Sequence, residues 1–344
     1  MLRYCYLTLN IKMKTKVRWG ILGCGRIARK FAADLAFADN AVLTGAGSRN
    51  LDNAMDFAKQ FGIANAYGSY EELVHDPNVD VIYIATPHSH HYDHALLCLN
   101  NNKAVLCEKA FAVNTGQAKE MISLAQSRKI FLMEALWTKF LPHQQQMEKM
   151  VMDGMVGEIK SVLVNFGFRP QDPVPQRLFD PALAGGSLLD IGIYNVFVAT
   201  SVLGKPDHIE ARMTPSRTGI DEQCAILFDY KNGAMAQLFS SFSSDLATEA
   251  SINGTKGRIK LTHRFYAPDS VIEYYEGRQE RFRIIDTGVA KEGFGYQYEA
   301  RHVGDCLLNN LTESPVISHA ETLQRMQILD DIRRKAGINY SADM

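Results

Sequence analysis

Nowhere does this sequence run to the roughly 20 consecutive apolar residues that a membrane-spanning helix needs, so no membrane partner is expected. It also lacks an excess of charge of either sign. The 344 residues carry 37 basic and 38 acidic side chains, a formal net charge of -1 spread along the chain, and the cationic footprint that a nucleic acid demands is missing. Cysteine is sparse: Cys5, Cys24, Cys98, Cys107, Cys224 and Cys306 form no C-x-x-C pair. A chain of this length buries enough surface without cross-links, so the six read as reduced thiols and a cytoplasmic location is expected. The short, interrupted apolar stretch between Met1 and Lys16 has no small-residue cleavage pattern, so no export signal is read. Met13 stands just ahead of the first β-rich run, and residues 1–12 are expected to be a poorly ordered extension from an upstream start codon. Internal repeats and low-complexity tracts are absent too.

What is there is a chain of ordinary globular composition, 46% apolar and 22% charged, long enough for two cores. From Val17 to about Met133 short β-rich runs (Val17–Leu22, Ala41–Ala46, Val81–Ala85, Ala104–Cys107, Ile130–Met133) alternate with helical patterns (Arg26–Ala38, Leu51–Phe61, Thr115–Ser127). That is how a doubly wound parallel sheet reads. After Leu136 the pattern changes to alternating runs (Ser161–Phe168, Ile209–Met213, Ala225–Tyr230, Ala234–Ser240, Ile259–Thr262, Val271–Tyr275) around one helix, Leu188–Leu203. Lys231-Asn232-Gly233 supplies a hairpin turn, for which Asn-Gly predicts type I′. Helices over Tyr296–Asn309 and Ala320–Lys335 close the chain. The expected fold class is α/β, a Rossmann domain over 13–135, followed by an α+β domain over 136–340 with a large, mainly antiparallel open sheet.

The first run leads directly into Gly23-Cys24-Gly25-Arg26-Ile27-Ala28 and a helix, a G-x-G-x-x-A fingerprint in strand-turn-helix context. Gly23 permits the tight turn, Gly25 lets backbone N–H groups approach a pyrophosphate, and Ala28 allows close helix packing. Where an NAD enzyme places an acidic residue, this chain has Ser48-Arg49. A hydroxyl and a guanidinium suit a 2′-phosphate, so NADP is the expected cofactor. The alternative is a solvated Arg49 with Asp52 on a neutral ribose, and NAD.

Two further stretches fall at the carboxyl ends of strands, where open α/β sheets bind ligands: Thr86-Pro87-His88-Ser89-His90-His91 and Glu108-Lys109-Ala110. Both should border the nicotinamide. Together with the glycine motif they resemble the glucose-fructose oxidoreductase and inositol dehydrogenase (Gfo/Idh/MocA) family over roughly Lys14 to Tyr340, with T-P-x-x-x-H and E-K at that family's spacing. The runs Gly68 to Glu72, Leu132 to Trp137 and Gly185 to Tyr194 look most like its dimeric dihydrodiol dehydrogenases and NADP-dependent D-xylose 1-dehydrogenases. The resemblance implies that Lys109 touches the nicotinamide ribose and substrate, that Tyr194 is the acid/base with Asp190 in support, and that His91 stands beside the cofactor. It also implies homodimers formed through the open face of the second sheet. Where the family has proline after Glu-Lys, often behind a cis peptide, this chain has Ala110; a trans bond or a strained one is expected.

The residues give the same picture from below. Asp190 and Tyr194, four apart, share one face of a helix. Gly192 between them implies that a cofactor or another backbone comes close. A tyrosine near pKa 10 is a poor base at neutral pH, so the Lys109 ammonium is expected to lower it while Asp190 pairs Lys109. Each residue has a plainer reading: Ser187-x-x-Asp190 as a capping-box variant, Tyr194 as a core aromatic, Lys109 as a solvated loop lysine. His88, His90, His91 and His94 tempt a metal assignment, but no carboxylate or thiolate completes a ligand set, and no metal is expected. Trp137, Phe166 and Tyr296 are candidates for a substrate wall suited to sugar rings or aromatic diols. The expected function is hydride transfer between a nicotinamide and a small-molecule secondary alcohol or hemiacetal carbon; a non-catalytic, dinucleotide-responsive binding protein is the alternative class.

Overall fold

A computed structural model describes residues 15–279, 281–289 and 292–343. The expected extension over residues 1–12, and Cys5 with it, lies outside the described residues. Six strands, β1 (Val17–Leu22), β2 (Ala41–Gly47), β3 (Asn65–Tyr67), β4 (Val81–Ile84), β5 (Ala104–Glu108) and β6 (Leu132–Ala135), form a parallel sheet in the order β3-β2-β1-β4-β5-β6. The order reverses between β1 and β4, which opens a crevice for a ligand at their carboxyl ends. Helices α1 (Arg26–Leu35), α2 (Leu51–Phe61), α3 (Tyr70–His75), α4 (His91–Asn100) and α5 (Thr115–Arg128) connect the strands. β6 starts two residues later than the alternation suggests. Lys129 takes a left-handed conformation to end α5, and Ile130 N–H returns to the Ala125 carbonyl, so Ile130 finishes the helix.

After α6 (Pro142–Met152) the chain builds eight strands: β7 (Ile159–Gly167), β8 (His208–Pro215), β9 (Asp221–Asp229), β10 (Met235–Ser241), β11 (Glu249–Gly254), β12 (Gly257–Thr262), β13 (Val271–Glu276) and β14 (Arg283–Ile285). Their order is β14-β13-β12-β11-β7-β10-β9-β8, antiparallel except for β7 beside β10. The Asn232-Gly233 turn differs from expectation. Only Gly233 has positive φ, at 81°, and the Asn232 side chain accepts from Ala234 N–H at 3.0 Å. This is a type I turn closed by a left-handed glycine, not type I′.

One face of this sheet is covered by a short π-helical turn, Leu188–Gly192, running into α7 (Ile193–Leu203). The sequence reading found no apolar segment of membrane length; within Pro181–Leu203, an 18-residue window does reach mean hydropathy 1.5. That window is 89% buried inside the protein, so packing against the sheet accounts for its composition. The closing helices, expected with the second domain, bridge both: α8 (Tyr296–Leu308) packs on α1, and α9 (His319–Ala336) on α5 and β8. Cys24, Cys98, Cys107, Cys224 and Cys306 are unpaired thiols.

Candidate active site

The glycine turn forms as its residue types dictate. Gly23 has φ 97°, and a Cβ there would lie 3.0 Å from the Thr86 methyl, so the ends of β1 and β4 close on each other only because it is glycine. Gly25 caps α1 without any side-chain bond, and an added Cβ would meet nothing within 4 Å. The first N–H groups of α1 therefore face open space, a cradle that fits a pyrophosphate. Gly23 N–H and Cys24 Sγ both bind the Gly47 carbonyl, at 3.0 and 3.6 Å, which sets Ser48 and Arg49 beside the turn. Ser48 is buried and accepts from Asn50 N–H; Arg49 is exposed and lies against the Tyr70 phenol and His94.

From this turn a cleft of about 830 Å³ runs between the domains. Gly25, Arg26, Ile27, Thr86, Pro87, His88, Glu108 and Lys109 line the Rossmann side; Trp137, Phe166, Asp190, Tyr194, Tyr266 and Tyr296 line the other. Lys109 Nζ donates to the Asp190 backbone carbonyl at 2.6 Å, sits 3.5 Å from its carboxylate, and lies 5.1 Å above the Tyr194 ring centre. Arg177, from the segment after β7, comes closer to the carboxylate, at 3.0 Å. Burial opposes the charge on Asp190, but Lys109 and Arg177 outweigh it and hold the carboxyl well below its usual range.

Tyr194 differs from expectation. Lys109 reaches the ring face rather than the phenol oxygen, and burial, reinforced by the Glu108 carboxylate, pushes the phenol well above its ordinary value. Trp137 Nε1 donates to the phenol oxygen at 3.0 Å and partly opposes that rise. With one lone pair taken by the indole, the hydroxyl proton must point elsewhere. The indole stacks on Tyr296 at 4.4 Å, and Phe166 stacks on Tyr266 at 4.3 Å, giving the cleft an aromatic wall. Tyr296 is fixed from the other domain, because the Asp34 carboxylate on α1 accepts from the Phe294 and Tyr296 N–H groups at 2.8 Å.

Glu108 accepts a hydrogen bond from the Tyr83 hydroxyl, and burial pushes its carboxyl up to about 7 against the pull of Lys109. His88 lines the cleft as a neutral ring, driven down to about 3 by burial, with Nδ1 3.0 Å from the Ala184 carbonyl. His91, expected beside the cofactor, is fully buried and outside the cleft wall. Its ring nitrogens lie 2.8 Å from the Ala110 and Thr86 carbonyls, so it braces the two motif loops from behind. The Lys109–Ala110 peptide is cis, where a trans or strained bond was expected. Among the described residues no group of three potential metal ligands gathers.

The capping-box reading of Ser187 and Asp190 is overturned. Ser187 Oγ donates to Asp221, and the Asp190 carboxylate faces Lys109 and Arg177. Nor is the stretch one continuous α-helix: Asp190 sits in the π-helical turn, a form often found at functional sites. A Cβ on Gly192 would lie 3.1 Å from Ser240 Oγ, so the close neighbour that its presence implied is β10. Sequence reasoning missed Arg177, in the single 3-10 turn Gln176–Leu178, and Tyr266, in the turn after β12, both too short to leave a periodic signal.

Residues 17–136 match the family described as "Oxidoreductase family, NAD-binding Rossmann fold", and residues 144–260 the "GFO/IDH/MocA C-terminal domain". The trans-1,2-dihydrobenzene-1,2-diol dehydrogenase of Xenopus laevis is 38% identical over 331 residues, 94% of this chain and 99% of that one. Its Homo sapiens counterpart is 36% identical over 336 residues, 95% and 99% of the respective chains. Among solved structures, an aldose-aldose oxidoreductase of Caulobacter crescentus, complexed with glycerol, superposes with TM-score 0.85 at 24% identity, covering 94% of this chain and 98% of the other. A 3-ketoreductase of Actinomadura kijaniata, in complex with NADP and TDP-benzene, gives TM-score 0.82 at 25% identity, covering 93% and 98%.

Proposed function

The chain belongs to the GFO/IDH/MocA oxidoreductase family, and from that premise we propose that it is an NADP-preferring dehydrogenase acting on a secondary alcohol or hemiacetal carbon of a trans-dihydrodiol or a sugar. The observation that carries this reading is the meeting of the Lys109 ammonium and the Tyr194 phenol in a cleft that begins at the α1 glycine turn. Gly23, Cys24, Gly25, Arg26 and Ile27 would hold the pyrophosphate, Ser48 and Arg49 the 2′-phosphate, and Thr86, Pro87, His88, Glu108 and Lys109 the nicotinamide half. When bound, the nicotinamide supplies the two-electron acceptor or donor for the hydride on the reacting carbon.

The protein's own residues handle the proton. In the oxidising direction the ionised Tyr194 phenolate takes it from the substrate hydroxyl as the carbonyl forms; in the reducing direction the phenol returns it. The raised pKa favours the protonated, proton-donating form. Lys109, anchored on the Asp190 carbonyl and carboxylate, presents positive charge to the substrate oxygen. Trp137, Tyr296, Phe166 and Tyr266 fit a flat ring, as in a cyclic diol or a pyranose, and exclude water around it. The dihydrodiol dehydrogenases at 36–38% identity over most of the chain support the diol, and the aldose oxidoreductase shares the fold.

NADPH formation should be followed by fluorescence against a panel of trans-dihydrodiols, aldoses and inositols. Turnover on a diol or aldose supports the reading. Tight cofactor binding without turnover on any of them would favour a dinucleotide-responsive binding protein. Arg49→Ala should raise KM for NADP about 10- to 100-fold, the loss of a charge-assisted hydrogen bond to phosphate, with KM for NAD little changed. Equal effects on both cofactors would remove the 2′-phosphate assignment.

Dimers belong to the same proposal. Leu163 on β7 and Met235 on β10 lie exposed on the sheet, at 42% and 43%. Light scattering should give twice the mass of the chain, and Leu163→Arg should give monomers; a wild-type monomer rejects the pairing.

A further inference from the structure

Asp221, the first residue of β9, is wholly buried and stands outside the cleft wall. Its Oδ2 accepts two hydrogen bonds, from Ser187 Oγ at 2.9 Å and from Leu188 N–H at 2.6 Å. Ser187 Oγ also lies 3.0 Å from Ser240 Oγ on β10. The glycines just before this point leave the turn no room to move. Gly186 has φ +112°, and a Cβ on it would lie 2.1 Å from Asp221 Oδ1. A Cβ on Gly185 would lie 2.6 Å from the Arg177 carbonyl oxygen, and the Gly185 carbonyl accepts from the Tyr340 hydroxyl at 2.6 Å. Chain segments far apart in sequence therefore converge on one turn.

What that turn controls is the far end of the network. Leu188 opens the π-helical turn whose third residue is Asp190, and the Asp190 backbone carbonyl is the acceptor that captures Lys109 Nζ. Displacing Leu188 displaces that carbonyl, and with it the ammonium. A side-chain cap on the same helix would fix only its end; here the capping carboxyl comes from a strand and is itself held by Ser187 and packed against Gly186. Burial pushes Asp221 up to about 7, against the pull of its hydrogen bonds from Leu188 N–H and Ser187.

We infer that Asp221 is a positioning residue for Lys109: by binding Leu188 N–H and Ser187 Oγ together, it sets the Asp190 carbonyl where it holds the catalytic ammonium. The inference rests on the proposed role of Lys109, so its test needs a readout that does not depend on turnover. In the full-length protein, the rate at which an amine-selective acylating reagent modifies Lys109 is measured by peptide mass spectrometry, with exposed Lys149 as the internal standard. Asp221→Ala should speed modification of Lys109 by about fivefold or more, the scale of one lost hydrogen bond, with Lys149 unchanged. Asp221→Asn keeps an oxygen for both donors and should match the wild type within about twofold. Ser187→Ala, which removes one leg only, should give a smaller increase and serves if Asp221→Ala does not fold.

With a substrate in hand, Asp221→Ala should lower kcat about 30-fold with cofactor Kd unchanged, and asparagine should restore it, as expected of a group that acts only through the reacting geometry. Unaltered Lys109 labelling in a folded alanine variant, or an asparagine variant labelled as fast as the alanine one, overturns the inference. If no substrate is turned over, the function proposed above fails while the labelling result still decides this one.

Discussion

Tyr194→Phe is expected to lower kcat by about 1,000-fold, inside the 10²–10⁴ range that a positioned proton-transfer group supplies, while NADPH affinity stays within about twofold. The phenol touches the reacting oxygen in the proposed chemistry and no part of the glycine turn, so binding and turnover should separate. The variant also leaves Trp137 Nε1 without its acceptor at a buried position. An unmet buried donor costs about 1–3 kcal/mol, so thermal unfolding must be measured alongside the kinetics to show that the loss of rate is not a loss of fold. The pH profile carries a second check. Because the phenol is held well above its ordinary value, the oxidising direction should speed up as pH rises and more of the group ionises. The reducing direction, which uses the protonated phenol, should be flat until strongly alkaline pH. A phenylalanine variant with wild-type kcat ends the assignment of Tyr194.

The fingerprint, Lys109 and the Asp190-Tyr194 pair were legible in the sequence because each depends on neighbours a few residues away. A glycine followed by a helix, or two side chains one turn apart, leaves a local trace. The residues that tune them leave none. Arg177 reaches Asp190 from a single 3-10 turn, Tyr266 reaches Phe166 from the turn after β12, two strands over, and Asp34 holds Tyr296 from 262 positions away. β11 reads as a loop because Glu-Ala-Ser-Ile-Asn-Gly has little intrinsic strand preference, yet it pairs on both sides with β7 and β12. The π-helical turn left no local trace either: Gly192 has no side chain where Ser240 stands close, and Leu188 N–H is bound by Asp221, both partners on distant strands. His91 shows the converse, a family motif position whose side chain serves the loops rather than the cleft.

Lys109→Ala is the second large effect, an expected fall of about 100- to 1,000-fold in kcat/KM, comparable to removing a preorganised charge-stabilising donor. Its consequences spread to both neighbouring carboxyls in the same direction. Asp190 loses the strongest of the influences that hold its carboxyl low and keeps only Arg177 and weaker ones, so its pKa rises. Glu108 loses the strongest influence opposing burial, so it moves above about 7 and stays protonated through neutral pH. In the wild type the depressed Asp190 contributes stability that is present above its unfolded value near 3.9 and lost as pH falls through the folded one. The raised Glu108 does the opposite, removing stability as pH climbs from its unfolded value near 4.3 toward about 7. Removing Lys109 shrinks the first contribution and enlarges the second, so the variant should fall further behind the wild type as pH rises from 4 to 7.5. Thermal unfolding at those two pH values checks this: a Tm gap that is constant or narrows with pH would mean that the ammonium does not govern this pair. Lys109→Arg should not restore activity, because a planar guanidinium directs its donors differently from the compact ammonium bound to the Asp190 carbonyl. An arginine variant with wild-type kcat/KM would reduce the role of Lys109 to charge alone.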